Sequence, residues 1–169
     1  MTAIEHGFSV AEPWIAAYGA FALFICIYFE SFGAPLPSES MIVAGTVLAM
    51  RGDLSMPIVV AMAWASAVLG DSTGYIIGRI GGRAAIARFG PRIGLTEERV
   101  DRLTGQVRRH GFVMVLLARF IWGLRQLNGV LAGSLSMPFA RFFPANALGA
   151  ALWVIAWVTV GHFVATLLP

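Results

Sequence analysis

Four ionisable residues stand where the surrounding sequence is apolar: Glu30 and Glu39 in "FESFGAPLPSES", and Arg119 and Arg125 in "ARFIWGLRQLNG". Burial disfavours a charged carboxylate and a neighbouring arginine favours it, so such acids can load and release a proton as their surroundings change. Two guanidinium groups offer planar, charge-assisted, bidentate hydrogen bonds that suit a phosphate. The set points to proton-linked handling of an anionic, phosphate-bearing ligand. Spacing adds a condition. Glu30 and Glu39 diverge by about 180° on an unbroken helix, and Arg119 and Arg125 by about 120°. Each pair converges only where the backbone is broken, by Pro35 and Pro37 in the first stretch and by Gly123 in the second.

The elements that carry these residues follow from composition. The chain has 169 residues, 58% hydrophobic and 12% charged, with a mean hydropathy of +0.77. That excludes an ordinary soluble domain and predicts an integral membrane protein. A helix crossing the ~30 Å hydrocarbon layer uses about 20 residues, which divides a single membrane domain over 1–169 as follows. Residues 13–30 form a transmembrane helix anchored by Trp14 and Tyr18. Residues 31–50 are broken by prolines and too short to cross, and read as a re-entrant hairpin. Residues 56–78 span, with Asp71 inside and Gly70, Gly74 and Gly78 on one face for close packing. Residues 79–110 hold eight arginines against Glu97, Glu98 and Asp101, which makes this segment cytoplasmic by the positive-inside rule. Its second half reads as an amphipathic surface helix capped by Thr96, striped by Val100, Leu103 and Val107, and stopped by Gly111. Residues 111–133 form a second re-entrant hairpin, since a plain span would bury Arg119, Arg125 and Asn128 at bilayer depth. Residues 138–168 span again. The N-terminus lacks the positive region of a cleaved signal peptide. The single cysteine, Cys26, allows no intrachain disulfide and reads as a small buried hydrophobe.

An internal repeat orders these pieces. "LSMP" occurs at 54–57 and 135–138, and "FGAPLPSESMIVAG" (32–45) aligns without gaps to "FIWGLRQLNGVLAG" (120–133). The span 56–78 runs toward the cytoplasmic arginines and 138–168 runs away from them, so the halves are opposed. The predicted fold is an all-α integral membrane protein: an inverted repeat of re-entrant helical hairpin plus transmembrane helix, with an N-terminal transmembrane helix and a cytoplasmic amphipathic helix. Its two hairpins would bring Glu30, Glu39, Arg119 and Arg125 into one polar pocket within the bilayer, where opposite charges compensate one another.

"FESFGAPLPSES", "GDSTGYIIGR" and "ARFIWGLRQLNGVLAG" resemble the signature segments of the DedA family, also called VTT-domain or SNARE-associated membrane proteins, over about residues 25–165. The resemblance implies two re-entrant hairpins and movement of lipid across the bilayer, either undecaprenyl phosphate or phospholipid, in the bacterial cytoplasmic membrane. It implies proton-coupling roles for Glu30 and Glu39 and headgroup-binding roles for Arg119 and Arg125. Gly70, Asp71, Gly74, Tyr75, Gly78 and Arg79 match the family's glycine-rich motif, with Pro35, Pro37, Gly123, Asn128 and Gly133 as structural or gating positions. The chain departs from the family pattern at Ser38, where a glycine is common, and at Trp122, where a proline is common. The second break therefore depends on Gly123 alone.

Plainer readings stand beside these. Glu30 could mark the end of a span, the two arginines could snorkel to headgroups without transport, and the arginine-rich segment could serve topology alone. Asp71 reads as a structural hydrogen-bonding group, and His162 as a helix-end residue without a second metal ligand. An intramembrane hydrolase lacks a nucleophile elbow or His-Glu-x-x-His here, and a non-transporting lipid-binding scaffold is the remaining class. No cofactor, metal or nucleic acid is expected; the partners are an anionic lipid, protons and, through the glycine faces, a second copy of the chain.

Overall fold

The computed structural model describes residues 19–82, 84, 88, 97–121 and 123–167. The expectations for Trp14, Tyr18, Thr96 and Trp122 lie outside them. Among the described residues the regular structure is entirely helical. It comprises α1 (Ala20–Glu30), α2 (Ser38–Arg51), α3 (Met56–Ile77) continued by a π-helical turn over Gly78–Gly82, α4 (Glu97–Ala118), α5 (Leu124–Ser134) and α6 (Phe139–Leu167).

Proline and glycine set the boundaries. After α1 the chain turns through Gly33 at φ +114°, then runs through Pro35 and Pro37, which have no N–H to continue a helix. Pro37 is the residue before α2. That helix has 14 residues, about 21 Å of rise, and cannot cross a ~30 Å layer. It ends at Gly52 in the left-handed region, whose N–H bonds back to Ala49 while Asp53 N–H donates to the Leu48 carbonyl at 3.0 Å. Such a C-terminal glycine satisfies carbonyls the helix leaves open. In the second half, α4 gives way to a turn at Arg119–Phe120, and Gly123 at φ +83° precedes α5.

One expected boundary is corrected. The helix beginning near Glu97 does not stop at Gly111; it runs on to Ala118 for 22 residues. Gly111 is buried, and a Cβ there would come within 3.1 Å of the Met137 thioether. Its bare backbone serves packing rather than termination, and the apolar run that follows favours continued helix once packed. The expected amphipathic helix and the apolar residues 111–118 that follow it are therefore one element, charged in its first half and apolar in its second.

Two helical stretches, Met56–Gly82 with 27 residues and Phe139–Leu167 with 29, are long and apolar enough to cross a membrane. Only 39% and 28% of their most apolar windows are buried, the reverse of a soluble protein's core helix. Outward-facing Ile58, Leu69, Ile76, Ile155 and Phe163 are each more than half exposed. A soluble surface does not carry such an apolar load. Lipid accommodates it.

The chain packs as two compact units. One contains the residues up to Glu30, Ala34–Ala67 and those from Ala150 onward; the other contains Ser31–Gly33 and Val68–Gly149. The first therefore holds α1, α2, the start of α3 and the end of α6. The second holds the end of α3, α4, α5 and the start of α6. In the first unit Met41, Ala44 and Leu48 pack with Ala22, Cys26 and Leu54. Gly45 there lies against the Leu23 and Val59 side chains, and Gly161 against Thr46. In the second, Tyr75, Val107, Val115, Ala132, Met137, Phe142 and Ala145 form the core. Tyr75 stacks on Phe142 with ring centroids 4.7 Å apart and donates its hydroxyl to the Met137 carbonyl at 2.5 Å.

Candidate functional site

The second unit is built around a close crossing of α5 with the end of α3. Buried positions on α5 are Arg125, Asn128, Gly129, Ala132 and Gly133, the three-and-four spacing of one helical face, with Ser134 also buried at the helix end. A Cβ on Gly129 would strike the Asp71 carbonyl, one on Gly133 the Tyr75 carbonyl, and one on Gly78 the Val130 carbonyl. Backbone thus lies on backbone, as small residues permit in lipid. Of the sequence's glycine face, Gly74 lies within 3.3 Å of Phe32 and Val130 side chains by the same measure. Gly70 is buried, and Arg79, in the π turn, is exposed.

This crossing fixes a charged cluster. Arg119, just past α4, forms a buried ion pair with Asp71 of α3, their side chains each 2% exposed. The same guanidinium nitrogen, Nη2, donates to Asn146 Oδ1 of α6 at 2.5 Å. Asn146 Nδ2 in turn donates to the Val68 carbonyl of α3 at 3.2 Å. Asn146 thereby orients Arg119 while holding α6 to α3. Arg125, in the first turn of α5 and buried, stands close enough for its charge to act on both Asp71 and Arg119. One turn on, Asn128 Nδ2 donates to the Val115 carbonyl of α4 at 2.9 Å, which fixes α5 against α4. The buried Arg119 Nε has no acceptor among the described residues. A desolvated guanidinium donor without an acceptor is costly, and any oxygen acceptor reaching it would offset that cost.

Glu30 and Glu39 belong to the first unit. Glu30 is 2% exposed at the end of α1. Glu39 is half-buried in the first turn of α2, where Ser38 Oγ donates to its Oε2 at 3.5 Å. Both charges act on Cys26 of α1, so the two acids lie near one another on this unit. Pro35 and Pro37 are exposed in the link between them.

Asp71 is the structural hydrogen-bonding group expected of it, and its partner, which the sequence does not indicate, is Arg119. Asn146 is a site residue absent from the sequence reading. An uncharged amide within the apolar run 138–168 is the signal for it, because such a group must find a partner in lipid. Among the described residues no three of His, Cys, Asp and Glu converge to hold a metal ion.

Two long lipid-facing helices and a buried charged cluster beside a glycine-lined crossing are the features of a polytopic membrane protein. A VTT-domain model matches residues 36–163, and the chain belongs to that family. It is 36% identical over 146 residues to the membrane protein slr0232 of Synechocystis sp., covering 86% of this chain and 67% of that one. It is 30% identical over 148 residues to the inner membrane protein YohD of Escherichia coli, covering 88% and 71%. Protein DedA of Escherichia coli is 29% identical over 161 residues, covering 90% and 73%. No solved structure matches the chain. Glu39, Asp71, Arg119, Arg125 and Asn146 fall inside the matched domain, and Glu30 lies just before it.

Proposed function

We propose that this protein moves an anionic lipid, undecaprenyl phosphate or a phospholipid, across the bacterial cytoplasmic membrane, with protons carried by Glu30 and Glu39. The observation that carries the reading is the buried Arg119, paired with Asp71 yet keeping Nε without an acceptor, with Arg125 beside it. Two guanidinium groups in a water-poor site are suited to a phosphate, and an intramembrane charge is retained for function more often than not. Arg125 in the first turn of α5 adds to this, because the N-terminus of a helix favours an anion. The lipid tail would remain in the bilayer while the headgroup crosses. Glu30 is almost wholly buried and Glu39 half-buried, the setting in which a carboxylate exchanges its proton as neighbouring charge changes. Membership of a family that includes YohD, named as an inner membrane protein, supports the location.

The test is headgroup translocation in proteoliposomes containing this protein alone, run with undecaprenyl phosphate and with common phospholipids. Arg125→Gln and Arg119→Lys are expected to abolish movement. The lysine keeps a charge for Asp71 but not the planar fork. Release of free phosphate would instead mark a hydrolase, and lipid binding without movement a scaffold. A rate that follows a pH gradient in the parent protein and ignores it in Glu39→Gln would assign the proton to that residue.

A further inference from the structure

The exposed face of α4 takes no part in the buried cluster. Arg102, Gly105, Gln106, Arg109, His110 and Met114 line an open cavity of about 420 Å³. They share one stripe because their spacing follows the helical period, and all six are exposed. The opposite face of the same helix is buried at Val107, Gly111 and Val115. Glu98 stands one turn before Arg102, yet among the described residues no ion pair engages Arg102 or Arg109. Gly105 contributes no side chain, and a Cβ there would meet nothing within 4 Å. The space between the two guanidinium groups is open.

Immediately past His110 the helix changes character. Phe112, Val113, Met114 and Leu117 are exposed and apolar. A cationic stripe that passes within one turn into exposed apolar side chains matches the boundary between headgroups and acyl chains. A soluble anion would use the arginines and ignore Met114 and Phe112, whereas a lipid uses both. The distance onward is set by the same helix. Arg109 and Arg119 are ten residues apart, about 15 Å of helical rise, or about half of a ~30 Å hydrocarbon layer.

We infer that the Arg102–Arg109 stripe of α4 is a docking site for the phosphate of an anionic membrane lipid, with Met114 against the start of its tail. Delivery from this site to Arg119 and Arg125 rests on the transport reading above; docking itself does not.

The experiment uses the full chain in nanodiscs, with Cys26→Ser and a fluorophore on Val113→Cys, beside the stripe. Spin-labelled phosphatidylglycerol is titrated against spin-labelled phosphatidylcholine. The anionic lipid should quench at the lower mole fraction. Arg102→Gln with Arg109→Gln should raise its half-quenching fraction about twenty-five-fold, since each arginine near an anionic surface contributes about fivefold. Arg51→Gln, at the exposed end of α2, should leave it unchanged, and lysine at both 102 and 109 should retain the preference. Both positions are exposed, so thermal unfolding of the variants should match the parent. Equal quenching by the two lipids, or displacement of the anionic one by inorganic phosphate at constant ionic strength, would overturn the docking site. A clear preference without lipid movement by the parent protein would overturn the transport reading alone, and movement without preference would overturn docking alone.

Discussion

Gly45 and Gly133 each close an Ala-Gly pair, at the ends of the two alignable sequence stretches 32–45 and 120–133, yet the two units use them differently. In the first unit Gly45 lies against the Leu23 and Val59 side chains; in the second Gly133 lies against the backbone of Tyr75 and Arg79. Side chains can rotate aside, and peptide carbonyls in a helix cannot. The first unit is closed by interdigitating aliphatic groups, with its two acids on either side of the link between α1 and α2. The second is closed by backbone contact, which fixes α5 against α3 closely enough to hold Arg119, Asp71 and Arg125 together. Alignable sequence positions have thus been given unequal tolerance, and the less tolerant unit is the one that holds the arginines.

Substitutions can break or sharpen this contrast. The largest effect is expected from Gly133→Ala, whose methyl group would meet the Tyr75 carbonyl. Separation of α5 from α3 should cost more than about 4 kcal/mol, seen as loss of a monodisperse folded species in detergent. Next is Arg119→Ala, which leaves Asp71 buried without its cation and should cost about 3–5 kcal/mol in thermal unfolding. Adding Asp71→Ala to it should recover part of that loss, and strict additivity would show that the pair is not coupled. Asn146→Ala removes two hydrogen bonds and should cost about 1–3 kcal/mol, with lipid movement reduced because Arg119 loses its orientation. The smallest effect is expected from Gly45→Ala, about 1 kcal/mol. A loss there as large as at Gly133 would erase the distinction between the units.

Much of the architecture could be read from residue order, and the exceptions have physical causes. The long apolar stretches 56–78 and 138–168 were legible because length and hydropathy alone define them, and three ordered signature segments were enough to indicate the family. Gly111 does not end its helix although a glycine after basic residues is the usual stop signal, because tertiary packing on Met137 overrides it. The partner of Arg119 was not legible at all. Asp71 and Arg119 are 48 residues apart, and which acid meets which arginine depends on a crossing governed by glycines rather than on charge. The tetrapeptide "LSMP" makes the same point at short range. In its first copy Met56 and Pro57 begin α3, while in the second Ser136 takes φ +58° and the helix waits until Phe139. The second copy is bent by bonds from Ser136 N–H to Gly133 and from Met137 N–H to Ala132, both at 3.0 Å, and by the Tyr75 hydroxyl on Met137.

The left-handed Ser136 has a mechanical consequence. An L-residue with a Cβ held in that region costs roughly 1–2 kcal/mol, so the corner joining α5 to α6 is wound like a spring, with the Tyr75 phenol as its catch. Withdrawing that one hydroxyl would leave the corner to its two backbone hydrogen bonds, and any slackening would be felt first by the helix that carries Arg125.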